Sequence, residues 1–358
     1  MSIHAFQLLP MLLLGVALAA CSGQGPEVVD PSSFDRTQTS ILAIDGDGGS
    51  DLAIVKEPDG VRSTTAYSDA NGAPLGRRID GIFESFDRLF LLHRESASIS
   101  IVALSTRQKR AEITGFSDST SSLCGIAFSN LSQGWAIDHD RPSVYQFDAV
   151  NAVLVDTLPI EGRPTSVATI GDNVFVGSQL PDGSGLVTIF KSNFATFGIH
   201  AQLRFDSPII FMHANGNEDA MILVSAGAAG GKPTVHSIKA TTLQQTAERA
   251  LNAAPLTGRI GTVPEYATIT RDNYLYIATA EQVYRIDVGS SRLSSSPLTW
   301  LDGAYDVIGA DQWTDLMYAY DATARVLRRL DVDGRDLGPV AVTPGVSAIE
   351  FVNPSRVN

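Results

Sequence analysis

The sequence predicts an all-β chain folded as a seven-bladed β-propeller, closed by the C-terminal strand joining blade one. Three observations predict it: a marker that recurs seven times, the lack of any sustained helical period, and two ends that complete one another. The marker is an aliphatic residue, two intervening residues and a second apolar residue, commonly followed by Asp or Lys. Its copies are Leu52 and Val55, Ile99 and Val102, Val144 and Phe147, Val187 and Phe190, Val235 and Ile238, Val283 and Ile286, and Leu327 and Leu330. Successive copies lie 47, 45, 43, 48, 48 and 44 residues apart. Units of about 40 to 50 residues holding four short strands are the sequence mark of a propeller blade.

Within each unit the elements follow in a fixed order. A short apolar run precedes the marker, as in ILAI from residue 41, LFLL from 89, VFVG from 174 and MYAY from 317. Most of these runs follow a polar turn such as Gly171-Asp172-Asn173, where Asp and Asn side chains fold onto nearby backbone groups. Before the turns lie inner strands such as CGIAFS, TSVATI and PIIFMH, and after the marker a polar bend such as Asp331-Val332-Asp333-Gly334 leads to a fourth strand. The stretch TTLQQTAERALNAA from Thr241 is the best helix candidate, yet it falls where every other unit has a hairpin and reads as strand. Unit one begins at Ile41 without an inner strand, and VSAIEFV at 346 to 352 is a strand with no unit to follow. Pairing the two completes blade one and removes open sheet edges.

Ahead of the ring, residues 1–20 carry an apolar core too short to span a bilayer and end in Leu18-Ala19-Ala20-Cys21. That is the pattern of a lipoprotein signal peptide, which makes Cys21 the lipidated first residue of the mature chain and 21–38 a flexible tether to a propeller over 39–358. The n-region MSIH lacks Lys and Arg, a departure from the usual pattern. With Cys21 acylated only Cys124 remains, so no disulfide forms within the chain and Cys124 is expected as a small buried residue. Ser22 stands where inner-membrane retention favours Asp, so the expected address is the outer membrane of a bacterial envelope, on the periplasmic or the surface side. The net charge of −13 and the pI near 4.8 leave no basic stripe for nucleic acid. The membrane partner is the lipid, and the propeller itself is expected as a monomer.

The Asp-Asn turns, GRPTSVATIGDNVFVGS at 162 to 178 and YLYIATAEQVYRID at 274 to 287 resemble the YncE-like, YVTN-type seven-bladed propellers. The opening blade with NGAPLGRRIDGIFESFDRLFLLHRESASISIV is similar to envelope propeller lipoproteins of unassigned function, one branch of which captures cobalamin. The resemblance spans nearly all of 39 to 353 and rests on scaffold residues, so it implies fold more than function. It makes a corrinoid one ligand to expect.

In a propeller the loops between second and third strands share a face with the connections between blades. The candidates there are Asp45, Asp47 and Asp51, an acidic lip whose joint replacement by Asn is expected to leave the fold intact, together with Arg78, His93, His139, Arg163, Arg259, Tyr266, Trp300 and Tyr305. An EF-type calcium loop counted from Asp45 fails at Gly49, Ser50 and Lys56. His93, Asp138, His139 and Asp140 offer ligand types suited to zinc or iron, while solvated turns are the plainer account of them. Arg78, Arg163 and Arg259 can grip an anion or pair with rim carboxylates. His200, His213 and His236 are expected to be structural. No nucleophile elbow, P-loop or dinucleotide fingerprint is present and the sequence requires no cofactor. The expected role is an envelope-anchored binding domain for a small molecule or an envelope protein. A metal-dependent lactonase or lyase and a scaffold subunit are the alternatives.

Overall fold

The computed structural model describes residues 39–352 apart from 47–48, 57–59, 117–121, 193–197, 216–218, 228–230, 253–266, 270–273, 280–281, 290–292, 294–297, 304, 312–315, 332 and 343–344, with backbone alone at 46, 267–269 and 298–301. Twenty-eight strands are present among the described residues, in seven antiparallel four-stranded sheets. The chain is a seven-bladed β-propeller.

The seven innermost strands are Val346–Val352, Gly81–Ser85, Leu123–Phe128, Arg163–Ile170, Ile209–Asn215, Ala267–Ile269 and Val307–Ala310. Each touches the next in that order and the last touches the first, so they ring an axial channel. Blade one is completed across the chain ends: Val346–Val352 pairs with Thr39–Gly46, in register from Thr39 opposite Val352 to Ile44 opposite Val346. The segment read as strand from Thr241 is one, at Gln244–Ala250.

The core is divided into seven clusters, each formed by two neighbouring blades. This explains the marker. Side chains in a strand alternate between faces, so an interval of three puts the two marker residues on opposite faces of the blade. Leu52 faces blade two while Val55 faces blade seven, and in every copy the first residue packs on the following blade and the second on the preceding one. None of the fourteen is more than 3% exposed. At about 1.5–3 kcal/mol for each fully buried large aliphatic or aromatic side chain, these residues stitch the ring together. Between blades two and three the contact is aromatic: Phe116 meets Tyr145 edge-on at 5.5 Å, and Phe90 meets Phe128 at 4.6 Å.

One feature was not anticipated. The connection from blade one to blade two holds the short helix Ala66–Asn71, closed by Gly72 in the left-handed conformation.

Candidate functional site on the loop face

The two sets of loops do share a face. Leu75 N–H donates to Ser50 O at 3.1 Å and Ser50 N–H to Arg77 O at 3.3 Å, joining the blade-one hairpin to the connection into blade two. Gly49 has φ 112°, and a Cβ there would lie 2.8 Å from the Gly76 Cα, so this close approach requires glycine. A polar latch recurs around the face. Asp80 Oδ2 accepts the Arg94 N–H at 2.8 Å, Asp306 Oδ2 the Ala322 N–H at 2.7 Å, and Ser207 Oγ the Gly227 N–H at 3.0 Å. Asp80 and Asp306 stand one residue before an inner strand, an offset legible in the sequence but not singled out from it.

Several candidates prove to be fastenings. Asp45 and Asp51 lie within strands, opposite Ser50 and Ile44, and not in a loop. Asp51 is 8% exposed, and its carboxylate accepts N–H groups of Leu52, Tyr67 and Ser68, so it anchors the helix and forms no part of a lip. His93 is 1% exposed. Its Nδ1 lies 2.7 Å from Arg78 O and its Nε2 3.0 Å from Ser100 Oγ. A carbonyl only accepts, so Nδ1 carries the proton and Nε2 accepts from the serine hydroxyl. Both nitrogens are committed, which corrects the expectation of His93 as a metal ligand. Burial lowers its pKa to about 4. Tyr305 is buried, not displayed, with its hydroxyl 3.5 Å from Asp302 O.

Arg78 is exposed and lies 3.8 Å from Asp45 and 3.4 Å from Asp80, the rim pairing that was its plainer reading. Arg163 is exposed and makes no ion pair among the described residues. Asp47, Arg259, Tyr266, the side chain of Trp300 and Cys21 lie outside what is described.

The remaining candidates meet where blades two, three and four adjoin. Asp138 and His139 are 0% and 3% exposed. Asp138 Oδ1 accepts Ser122 N–H and Asp140 N–H, both at 2.9 Å, whereas its Oδ2 is buried with no partner. His139 Nδ1 donates to Pro164 O at 2.9 Å, so in the neutral ring Nε2 presents a lone pair, and that atom too is buried and unpartnered. Ser178, the register partner of Pro164, has a buried unpartnered Oγ. Cys124 is buried as expected, its Sγ 4.0 Å from Pro164 O, and burial pushes the thiol up to about 12 while the nearby Arg94 guanidinium acts the other way. Arg94 Nε completes the group as a buried donor without an acceptor. Arg94 Nε, Asp138 Oδ2, His139 Nε2 and Ser178 Oγ are thus one donor, two acceptors and a hydroxyl left buried without partners on three successive blades. Asp140 is exposed. Among the described residues no three His, Cys, Asp or Glu side chains converge on a metal position.

The channel holds polar groups of its own. Glu350 Oε1 accepts the Glu84 N–H at 3.0 Å, capping an inner-strand edge, and burial pushes its pKa up to about 8. His213, expected to be structural, stacks beside Phe211 on an inner strand and is open to the channel solvent.

No protein-family model matches the chain, and no curated protein matches it. Solved structures do. The chain is similar to a putative 6-phosphogluconolactonase from Bacteroides fragilis, at 11% identity over 90% of this chain and 100% of that one, TM-score 0.64. It is similar to hydrazine synthase from Kuenenia stuttgartiensis, at 12% identity over 75% of this chain and 88% of that one, TM-score 0.61. The WD40 repeats of RRP9 match at 14% identity over 78% of this chain and 89% of that one, TM-score 0.53. At these identities the likeness shows the fold. It places the chain among the β-propellers, a class that supports binding and scaffold domains and also enzymes.

Proposed function

We propose that the protein is a binding module of the bacterial cell envelope, lipid-tethered through Cys21, that takes a small polar molecule on the loop face over blades two to four. The observation that carries this is the set of buried, unpartnered atoms at Arg94, Asp138, His139 and Ser178. A buried polar atom left unpaired costs about 1–3 kcal/mol, so a guest that reached these atoms with two donors and one acceptor would stabilise the set. A carboxamide supplies both kinds of group, and a corrinoid carries several. That favours a small-molecule ligand, the corrinoid expected from the YVTN-type resemblance among them, over an envelope protein.

The test is native mass spectrometry and equilibrium dialysis of the purified protein with cobalamin and with simple carboxamides. Binding lost in both Asp138→Asn and His139→Ala, with melting temperatures near wild type, supports the site. Equal binding by His139→Ala and wild type rejects it.

A second reading rests on the His139 lone pair, which can accept a proton from water in a lactonase-type hydrolysis. Hydrolysis of a lactone by the wild type that disappears in His139→Ala decides for it.

A further inference from the structure

The connection from blade one to blade two contains a helix, and that helix walls an open cleft of about 520 Å³ on the outer side of the two blades. Lys56, Arg62 and Arg107 line it, with the hydroxyl side chains of Ser63 and Thr106, a floor of short apolar side chains, and Asp69 as the one carboxylate among its described lining residues. Among the described lining residues three cations stand against one carboxylate, in a chain whose net charge is −13. Cation clusters in acidic proteins draw anions against the general field.

The walls are fixed on both sides. Asp51 holds the helix to blade one. Asn71 holds it to blade two, its Nδ2 donating to Arg107 O at 2.9 Å and its Oδ1 accepting the Lys109 N–H at 2.9 Å. Arg107 itself adopts a left-handed conformation, φ 60°, a position that costs a non-glycine residue strain and here sets the side chain at the cleft. Its Nε is buried with no acceptor. Burial also lowers the pKa of this guanidinium, although arginine keeps its charge, so a partly dehydrated cation stands without a counter-charge at that nitrogen. Lys56 makes no ion pair among the described residues.

We infer that this cleft is an anion site for the phosphate group of a small phosphorylated molecule, held by Lys56, Arg62 and Arg107. Three cations and two hydroxyls suit the several acceptor oxygens of a phosphate dianion better than the two of a carboxylate. The apolar floor accommodates the organic remainder. Asp69 accepts the Thr65 hydroxyl at 3.0 Å and sets an upper limit on the charge the cleft will take.

The test uses the purified full chain with inorganic phosphate and glycerol 3-phosphate as probes and chloride at matched ionic strength as control, read by thermal unfolding and titration calorimetry. Both phosphates are expected to raise the melting temperature saturably, with glycerol 3-phosphate the tighter. Lys56→Gln and Arg107→Gln should each weaken binding at least fivefold, and Asp69→Asn should strengthen it. Lys56 sits on the rim, so Lys56→Gln should melt like wild type without phosphate and keeps the comparison sound if Arg107→Gln folds poorly. A phosphate response no larger than that of chloride overturns the inference, as does an unchanged response in Lys56→Gln.

Discussion

Asp51 Oδ1 accepts the backbone N–H of Tyr67 at 2.9 Å, fastening the third strand of blade one to the helix that leads into blade two. The same carboxylate takes the Leu52 N–H at 2.7 Å and the Ser68 N–H at 3.3 Å. Asp51→Ala therefore strands several buried donors and should cost about 1–3 kcal/mol of stability. Asp45→Asn, which touches a half-exposed rim pair and one serine hydroxyl, should cost no more than about 1 kcal/mol. Urea unfolding of the two variants checks the order. The triple Asn replacement is now expected to destabilise the fold, through Asp51.

His93 gives a pH signature. Its pKa in the folded chain is about 4, below its ordinary value of 6.5, so the unfolded state binds the proton first. The stability drawn from burying the neutral ring is present in full above pH 6.5 and is lost as pH falls toward 4. Melting temperatures between pH 7.5 and 4 should fall less steeply in His93→Gln than in wild type. Parallel slopes would contradict the assignment.

Glu350 has the opposite sign. Its folded pKa of about 8 lies above the ordinary 4.5, so the stability of its protonated form is present below pH 4.5 and fades as pH rises through 8. Glu350→Gln keeps an acceptor for the Glu84 N–H and cannot ionise. The variant should match wild type near pH 4.5 and exceed it by several degrees of melting temperature at pH 9.

Removal of residues 346–358 deletes the inner strand of blade one and exposes the ladder edge of Thr39–Gly46. The truncated chain should lose cooperative unfolding and associate through that edge, as sedimentation velocity will report. Adding the missing segment as a separate peptide should restore monomers.

The fold was legible because the marker residues sit in every blade at one depth and face both neighbours, so seven independent copies carry the same message. Val144 and Phe147 say as much as Leu52 and Val55. The site was less legible because its chemistry is decided by partners far away in the chain. His93 reads as a ligand until Arg78 O is found 2.7 Å away, and Asp51 reads as a lip until the Tyr67 amide is found beneath it. No local pattern announces either contact. His139 differs from His93 by one open nitrogen: both give Nδ1 to a backbone carbonyl, but only His93 has a serine hydroxyl, that of Ser100, at its Nε2. The helix at Ala66–Asn71 escaped because six residues are too few to show a period.

The closing pair also decides how the molecule bears load. The chain enters the ring at Thr39, on a strand held between Val346–Val352 on one side and Gly49–Lys56 on the other. A pull arriving at Thr39 along the strand meets both ladders in shear, so many hydrogen bonds must yield together, and none can be peeled singly from an open edge. The entry strand is thus a mechanical clamp that resists traction along the chain from its N-terminal side.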